Sequence, residues 1–162
     1  MIDRKLLFFA AVLLVLASVG AMAFGATHWR DASVISDLRI NGRDGVARVE
    51  GGRRTTWKGA AAYAVQLSWT GSEGKKRVAS GVPITEAYAK EILRGGQFIA
   101  LAVPIKYSVS KPALAPVVVP DAARLEAALV ARGDLWLWVG LLGVVLGGGL
   151  IWWARSRASI KD

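Results

Sequence analysis

Residues 135–154 read LWLWVGLLGVVLGGGLIWWA, a stretch without one charge that has Trp136 and Trp138 at one end and Trp152 and Trp153 at the other. At about 1.5 Å of rise per residue, such a helix covers the roughly 30 Å of hydrocarbon in a bilayer. Tryptophan favours the two headgroup levels, so the ring pairs mark the ends of a transmembrane helix. A second uncharged stretch, LLFFAAVLLVLASVGAMAFGA at 6–26, follows Arg4 and Lys5, and Trp29 stands just beyond it as a further membrane-interface residue. Ala21-Met22-Ala23 would also suit a signal-peptide cleavage site. The apolar run continues through Phe24 to Ala26, longer than many signal cores, so the stretch is read as a retained anchor.

The composition agrees. Hydrophobic residues make up 54% of the chain and the mean hydropathy is +0.40, too apolar for an ordinary soluble domain. The chain then divides into a cytoplasmic tail (1–5), transmembrane helix 1 (6–26), an extracytoplasmic β-rich domain (27–134), transmembrane helix 2 (135–154) and a basic cytoplasmic tail (155–162). The tails hold five Lys and Arg residues and the loop-side flanks four, so the positive-inside rule scarcely discriminates. A short basic tail leading straight into an apolar helix behaves as a signal anchor, and a long loop can cross whatever its charge. Both termini are expected in the cytoplasm of a bacterial cell, the two spans in its inner membrane, and the middle domain in the periplasm or outside the cell.

Inside 27–134, strand signals dominate. Tyr63, Val65, Leu67 and Trp69 alternate with Ala62, Ala64, Gln66 and Ser68, the period of a strand with one buried face. The turn Thr70-Gly71-Ser72-Glu73-Gly74 leads into a strand over 76–82, so the two should form a hairpin. Ile99, Leu101, Val103, Ile105 and Tyr107 alternate equally well, with Pro104 pointing to an edge or a bulge. A shorter strand is read over 45–50, after the turn dipeptides Asn41-Gly42 and Asp44-Gly45, and another over 116–119. Thr85 can cap a helix over 85–94 that has Ile84, Tyr88 and Ile92 on one side, Glu86 facing Lys90, and Gly95 as its stop. A second helix starts at Pro120-Asp121 with Asp121 as cap, carries Leu125, Ala128 and Leu129 as its stripe, and ends at Gly133. Asp134 would then cap the membrane helix, which makes Gly133-Asp134 a joint. The expected fold class is a membrane protein of the α+β kind. Two transmembrane helices flank a small, mostly β, barrel-like or half-barrel domain with one or two short helices.

Four stretches carry a likeness: Gly45-Val46-Ala47-Arg48-Val49, the tyrosine-led strand at 63–69, the glycine-introduced run from Gly95-Gly96 through Val103, and Val117-Val118-Val119-Pro120-Asp121. In this order the chain resembles uncharacterised two-pass bacterial membrane proteins grouped under a domain of unknown function, which share an N-terminal span, a β-rich insert and a C-terminal span. The match runs the whole chain on generic residues. Members often have a Tyr-Asn-Pro or Tyr-Asp-Pro turn where this chain has Tyr107-Ser108-Val109. The resemblance implies an architecture and no activity.

Candidates for chemistry are few. The chain has no cysteine, which excludes thiol catalysis, cysteine zinc sites and iron–sulfur ligation. The one histidine, His28, sits beside Trp29 and is read as interfacial. Ser110 and Lys111 are adjacent, so in an extended chain they point to opposite sides and form no local dyad. Glu86, Glu91, Asp121 and Glu126 fall at caps and exposed helix faces, and Asp44 and Glu73 in turns. Gly74-Lys75-Lys76 lacks the spacing of a phosphate loop. No catalytic, cofactor-binding or metal-binding residue is assigned, and no cofactor or small-molecule substrate is inferred. The formal net charge of +9 invites a nucleic-acid reading. Arg53, Arg54 and Lys58, however, lie a strand's length from Lys75-Lys76-Arg77, which leaves no single basic patch, and nucleic acid is not expected as a partner.

The spans hold the sharpest pattern. Gly140, Gly143 and Gly147 recur at spacings of three and four, and Ala10, Ala17 and Ala21 do the same less sharply. Small residues in such rows let two helix backbones approach closely, the contact that drives association in lipid. Three readings stay open for the row: packing on the other span, packing on another subunit, or no packing role. Neither span carries a charge, which speaks against transport or proton conduction through this chain alone. The expected function is a non-enzymatic accessory, assembly or interaction subunit of a membrane complex, with the lipid bilayer and other membrane protein subunits as partners. The alternative is a membrane-tethered binding or sensor module for a peptide, lipid headgroup or envelope ligand.

Overall fold

The computed structural model describes residues 4–57, 60–94, 97–98 and 101–156. Its elements are α1 (Arg4–Asn41), β1 (Arg43–Trp57), β2 (Ala60–Thr70), β3 (Lys76–Ile84), α2 (Glu86–Ile92), the short β4 (Leu93–Arg94) and β5 (Gln97–Phe98), β6 (Ala102–Tyr107), β7 (Val117–Val118) and α3 (Val119–Ser156). They fall into two compact units. One is made of α1 up to Asp31 with α3 from Leu129, and the other is Ala32–Ala128.

Both long helices reach past the apolar stretches that announce them. No glycine or proline interrupts 26–41, and Ala32, Ile35 and Leu38 give α1 a buried stripe there, so the helix continues to Asn41. It ends at the Asn41-Gly42 dipeptide, where the Gly42 N–H donates to the Leu38 carbonyl at 2.8 Å. At the other end α3 runs unbroken through Gly133 and Asp134, so the expected joint is absent. One glycine inside a helix costs about 1 kcal/mol against alanine, too little to end a helix with good formers on both sides. The boundaries predicted at 27 and 134 therefore lie within helices. Over Leu6–Asn41 and Val119–Trp153 both helices are long and apolar enough to cross a membrane.

Within Ala32–Ala128 the sheet has the order β3-β2-β1-β6-β7 and is antiparallel throughout. β2 and β3 form the expected hairpin. The Gly71 N–H donates to the Lys75 carbonyl at 2.9 Å, and Gly74 takes φ +73°, a left-handed position that a side chain would strain. β1 outruns the strand read over 45–50 and continues through Arg53 and Arg54 to Trp57, making a second hairpin with β2. A bulge allows this. Val49 faces Leu67 and Gly51 faces Gln66, so Glu50 is an extra residue and pairing resumes beyond it. β3 has its own irregularity opposite Gln66, with Gly81 at φ +76°. Bulges increase the local twist, and the sheet curls into a half-barrel.

The buried face carries Ala47, Val49, Leu67, Trp69, Val103 and Ile105, in the alternation the sequence announces, and Tyr88, Ala89 and Ile92 of α2 join the same core. Thr85 caps α2 by accepting from the Tyr88 N–H at 3.3 Å, and Lys90 pairs with Glu86 at 2.9 Å. The helix stops at Ile92, before Arg94, and Gly95 and Gly96 lie outside the described residues, as do Lys58 and Ile99. Val119 opens α3, which leaves β7 with only Val117 and Val118. β6 is an internal strand, yet Pro104 still behaves as an edge residue. The Val49 N–H donates to the Leu101 carbonyl at 2.9 Å, so Pro104, in register with Val46, turns its missing donor away from β1 to a side where β7 has ended.

Asp121 is not a cap. It sits in the first turn of α3, 1% exposed, and its carboxylate accepts from the Thr85 N–H at 2.6 Å and the Thr85 hydroxyl at 2.5 Å. A buried carboxylate needs such donors, and Thr85 supplies both while it caps α2. One turn on, Arg124 reaches Glu91 at 2.8 Å, and Glu126 reaches Arg39 at 3.0 Å. Burial, with the Asp121 charge second, raises the Tyr88 phenol above its ordinary range.

Candidate interaction surfaces

In the unit built from the outer parts of α1 and α3, the glycine row lies against α1. A Cβ on Gly140 would stand 2.7 Å from the Ser18 carbonyl oxygen and collide with Met22. On Gly143 it would strike the Ser18 hydroxyl, and on Gly147 it would stand 2.6 Å from Val15 Cγ2 and 3.2 Å from the Ala11 carbonyl oxygen. The close approach continues to Gly133, where a Cβ would enter the Trp29 ring, and to Gly25, where a Cβ would stand 2.9 Å from the Gly133 carbonyl oxygen. All five glycines are buried.

The alanines singled out in α1 do not make this contact. Ala10 and Ala17 are exposed and Ala21 is half-buried, while Ala11, Ser18 and Gly25 take the facing positions. Ala11, Ser18 and Gly25 recur every seven residues, the seam period of two helices packed at a shallow angle. Counting alanines alone hid that seam, because serine also acts as a small residue in an apolar segment. Ser18 satisfies its own hydroxyl by donating to the Leu14 carbonyl at 2.6 Å.

The tryptophans read as interfacial are all exposed, and Trp29 and Trp136 also meet the other helix of the pair. Trp29 donates from Nε1 to the Asp134 carboxylate at 3.1 Å, and Trp136 meets Phe24 edge to face with centroids 5.4 Å apart. Trp138, Trp152 and Trp153 present exposed rings. His28 stacks edge-on against Phe24 at 4.8 Å. Ser110 lies 3.3 Å from the Ser108 hydroxyl, which accepts from the Lys111 N–H at 3.0 Å, so this pair builds a turn. Among the described residues, no group of three or more His, Asp or Glu is placed to hold a metal ion.

The half-barrel's other sheet face is where polar and apolar groups are offered together. Val46, Val78 and Leu101 are 68%, 54% and 60% exposed. A shallow cavity of about 620 Å³ is lined there by Val46, Arg48, Ser68, Thr70, Lys76 and Leu101. Strand register sets these residues side by side. Val78, Ser68, Arg48 and Ala102 form one cross-strand row, and in the next row Lys76 faces Thr70 and Val46 faces Pro104. The bulged Glu50 turns toward this face and accepts from the Ser68 hydroxyl at 2.6 Å. That bond lowers the Glu50 carboxyl below its ordinary value; burial opposes it, and the charges of Arg48 and Lys76 assist it. Glu50 is therefore ionised at neutral pH.

Two donors at the hairpin end of the sheet lack acceptors. Trp69 and Arg77 face each other across β2 and β3, and Trp69 Nε1 and Arg77 Nη1 are buried without a hydrogen-bond partner. Arg77 keeps a looser ion pair with Glu73 at 3.6 Å.

Fold and surface together define an α+β protein with a half-barrel sheet and two long apolar helices. The chain matches no family model, no curated protein and no solved structure.

Proposed function

We propose that the chain is a non-catalytic interaction subunit of a membrane complex, anchored by its two long helices and offering the exposed face of the half-barrel to a partner protein. The observation that carries this reading is the occupied glycine row. Gly140, Gly143 and Gly147 are filled by Ser18, Met22 and Val15 of the same chain. The closest helix packing is thus used up inside the anchor, and the exposed sheet face, where Val46, Val78 and Leu101 stand beside Arg48 and Lys76, is the surface left for another protein. In this reading residues 6–26 and 135–154 lie in the bacterial inner membrane, both termini are cytoplasmic, and the half-barrel is periplasmic or extracellular.

A photo-crosslinking amino acid at Val46 or Val78, in the full-length chain in native membranes, should give a discrete adduct. The same label at Leu142, on an exposed side of α3, should give none. Adducts confined to Leu142 would return the interaction to the helices and defeat the reading. For topology, a reporter active only outside the cytoplasm should work when inserted after Gly74 and fail when fused after Asp162, and the reverse pattern would invert the orientation.

A further inference from the structure

We infer that the occupant of the exposed sheet face is an extended acidic segment of the partner protein, with carboxylates four residues apart and an apolar residue midway between them. This deepens the interaction-subunit reading and rests on it.

Charge points first. Strands β1, β3 and β6 carry seven Lys and Arg residues against Asp44 and Glu50, and Arg48, Lys76 and Lys106 of these alternate onto the exposed face. Lys106 is engaged by Asp44 at 3.8 Å, and Arg54 lies over the Tyr63 ring at 5.7 Å. Arg48 and Lys76 line the cavity itself.

Spacing points next. Lys76 is two strands from Arg48 and two residues along, which places their Cα atoms about 12 Å apart for strands about 4.8 Å apart and about 3.3 Å of rise per residue. An extended segment repeats on one face every second residue, so its residues i and i+4 lie about 13 Å apart and meet the two cations together. Residue i+2 then falls on Val46, Ser68 and Thr70, the floor between them. An apolar side chain suits that position because Val46 is the largest exposed group there.

The other occupants fit less well. A second copy would bring the same excess of cations to the contact, and like charges oppose docking. An anionic membrane surface is continuous and would press headgroups against the ionised Glu50, whereas a discrete segment can set an uncharged residue opposite it.

The probe is a fluorescent peptide, Thr-Glu-Thr-Val-Thr-Glu-Thr, titrated onto the full-length chain in phosphatidylcholine nanodiscs. Its control has glutamine in place of both glutamates. The acidic peptide should bind more tightly than the control by about tenfold or more, and added salt should erase the difference. Arg48→Glu and Lys76→Glu, both on exposed positions, should each weaken binding by about tenfold. Glu50→Gln should strengthen it by removing a repulsion. Arg48→Gln and Lys76→Gln repeat the test without a new charge, and circular dichroism confirms that every variant folds.

Equal binding of the two peptides, or binding that survives both charge reversals, overturns the proposal. A cysteine placed at Val46, unique in this chain, can carry a fluorophore. Its quenching by brominated phosphatidylglycerol, with no acidic-peptide binding, would assign the face to a membrane surface instead. A discrete adduct at Val46 without acidic-peptide binding defeats this inference alone, while the absence of any adduct there removes the reading beneath it.

Discussion

Replacing Gly140 by alanine adds one methyl group where α3 meets α1, and the outcome follows from what that methyl would touch. It would stand 2.7 Å from the Ser18 carbonyl oxygen and against Met22. Met22 can swing its flexible end aside, but the carbonyl is backbone. Relief to an ordinary carbon–oxygen contact parts the helices by about 0.6 Å, a gap that forfeits about a quarter to a half of the dispersion well for each facing pair. Overpacking of this kind costs about 1–3 kcal/mol. Against that stands the better helix propensity of alanine, about 1 kcal/mol. Gly148→Ala and Gly149→Ala keep that gain whole, because their new Cβ atoms meet nothing within 4 Å. Gly140→Ala should therefore fall below Gly148→Ala by about 1–3 kcal/mol, which in a chain of this size is about 2–12 °C in Tm. Gly143→Ile should fall further, and Leu141→Ile, on an exposed position, should not. The assay is a thermal melt of the full-length chain in one detergent, followed by the near-ultraviolet signal of its tryptophans. If Gly140→Ala melts with or above Gly148→Ala, the row is not a close contact and the reasoning fails.

Three other tests address the half-barrel. Trp69→Ala should cost about 3–5 kcal/mol. Trp69→Phe should cost well under half of that, since the buried Nε1 has no acceptor to lose; an unchanged Tm for the alanine variant would mean that Trp69 faces outward. In a double-mutant cycle of Thr85→Val and Asp121→Asn, the two effects should couple by about 0.5–3 kcal/mol because the Thr85 hydroxyl donates to the Asp121 carboxylate; strict additivity would show that this bond is not formed. The Ser68 hydroxyl holds Glu50 below its ordinary 4.5, so its contribution to stability is complete above about pH 4.5 and is lost as pH falls through the lowered value. Ser68→Ala should lower stability above about pH 4.5, by an amount that shrinks as pH falls below it, and an equal loss at every pH would exclude the bond.

Alternation was the legible part of this fold. Tyr63, Val65, Leu67 and Trp69 announce a half-buried strand because their period is the period of the pleat, and the hairpin to β3 follows from Gly71 and Gly74. The same logic found Tyr88 and Ile92 on the buried side of α2, whereas Ile84, read into that stripe, is the last residue of β3 and pairs with Tyr63. It missed the second half of β1, since a bulge at Glu50 breaks the alternation where the strand continues. It also could not find the exposed groove. Arg48, Ser68, Val46 and Lys76 come from three strands and meet only once register is known, so nothing local in the chain links them. The Asp121–Thr85 bond is hidden for the same reason, joining residues 36 positions apart.

Glycine was harder to read, because one residue type serves two opposite purposes. Gly42 ends α1, and the chain beyond it turns at once into a strand with Gly45 and polar residues around it. Gly133 also looked like a stop, but it is flanked by the helix-forming run at 121–132 and by the apolar run after 134, and the helix passes through it. What distinguishes the two is the sequence on the far side. When helical pattern resumes immediately, the missing side chain is better read as room for a neighbour, and here the neighbour is the Trp29 ring, whose Nε1 lies 2.6 Å from where a Cβ would be and donates to Asp134 one residue on. The same distinction separates Gly140, Gly143 and Gly147 from Gly148 and Gly149, where a Cβ would meet open space. Three- and four-residue spacing singles out the first set because only those positions return to one side of the helix.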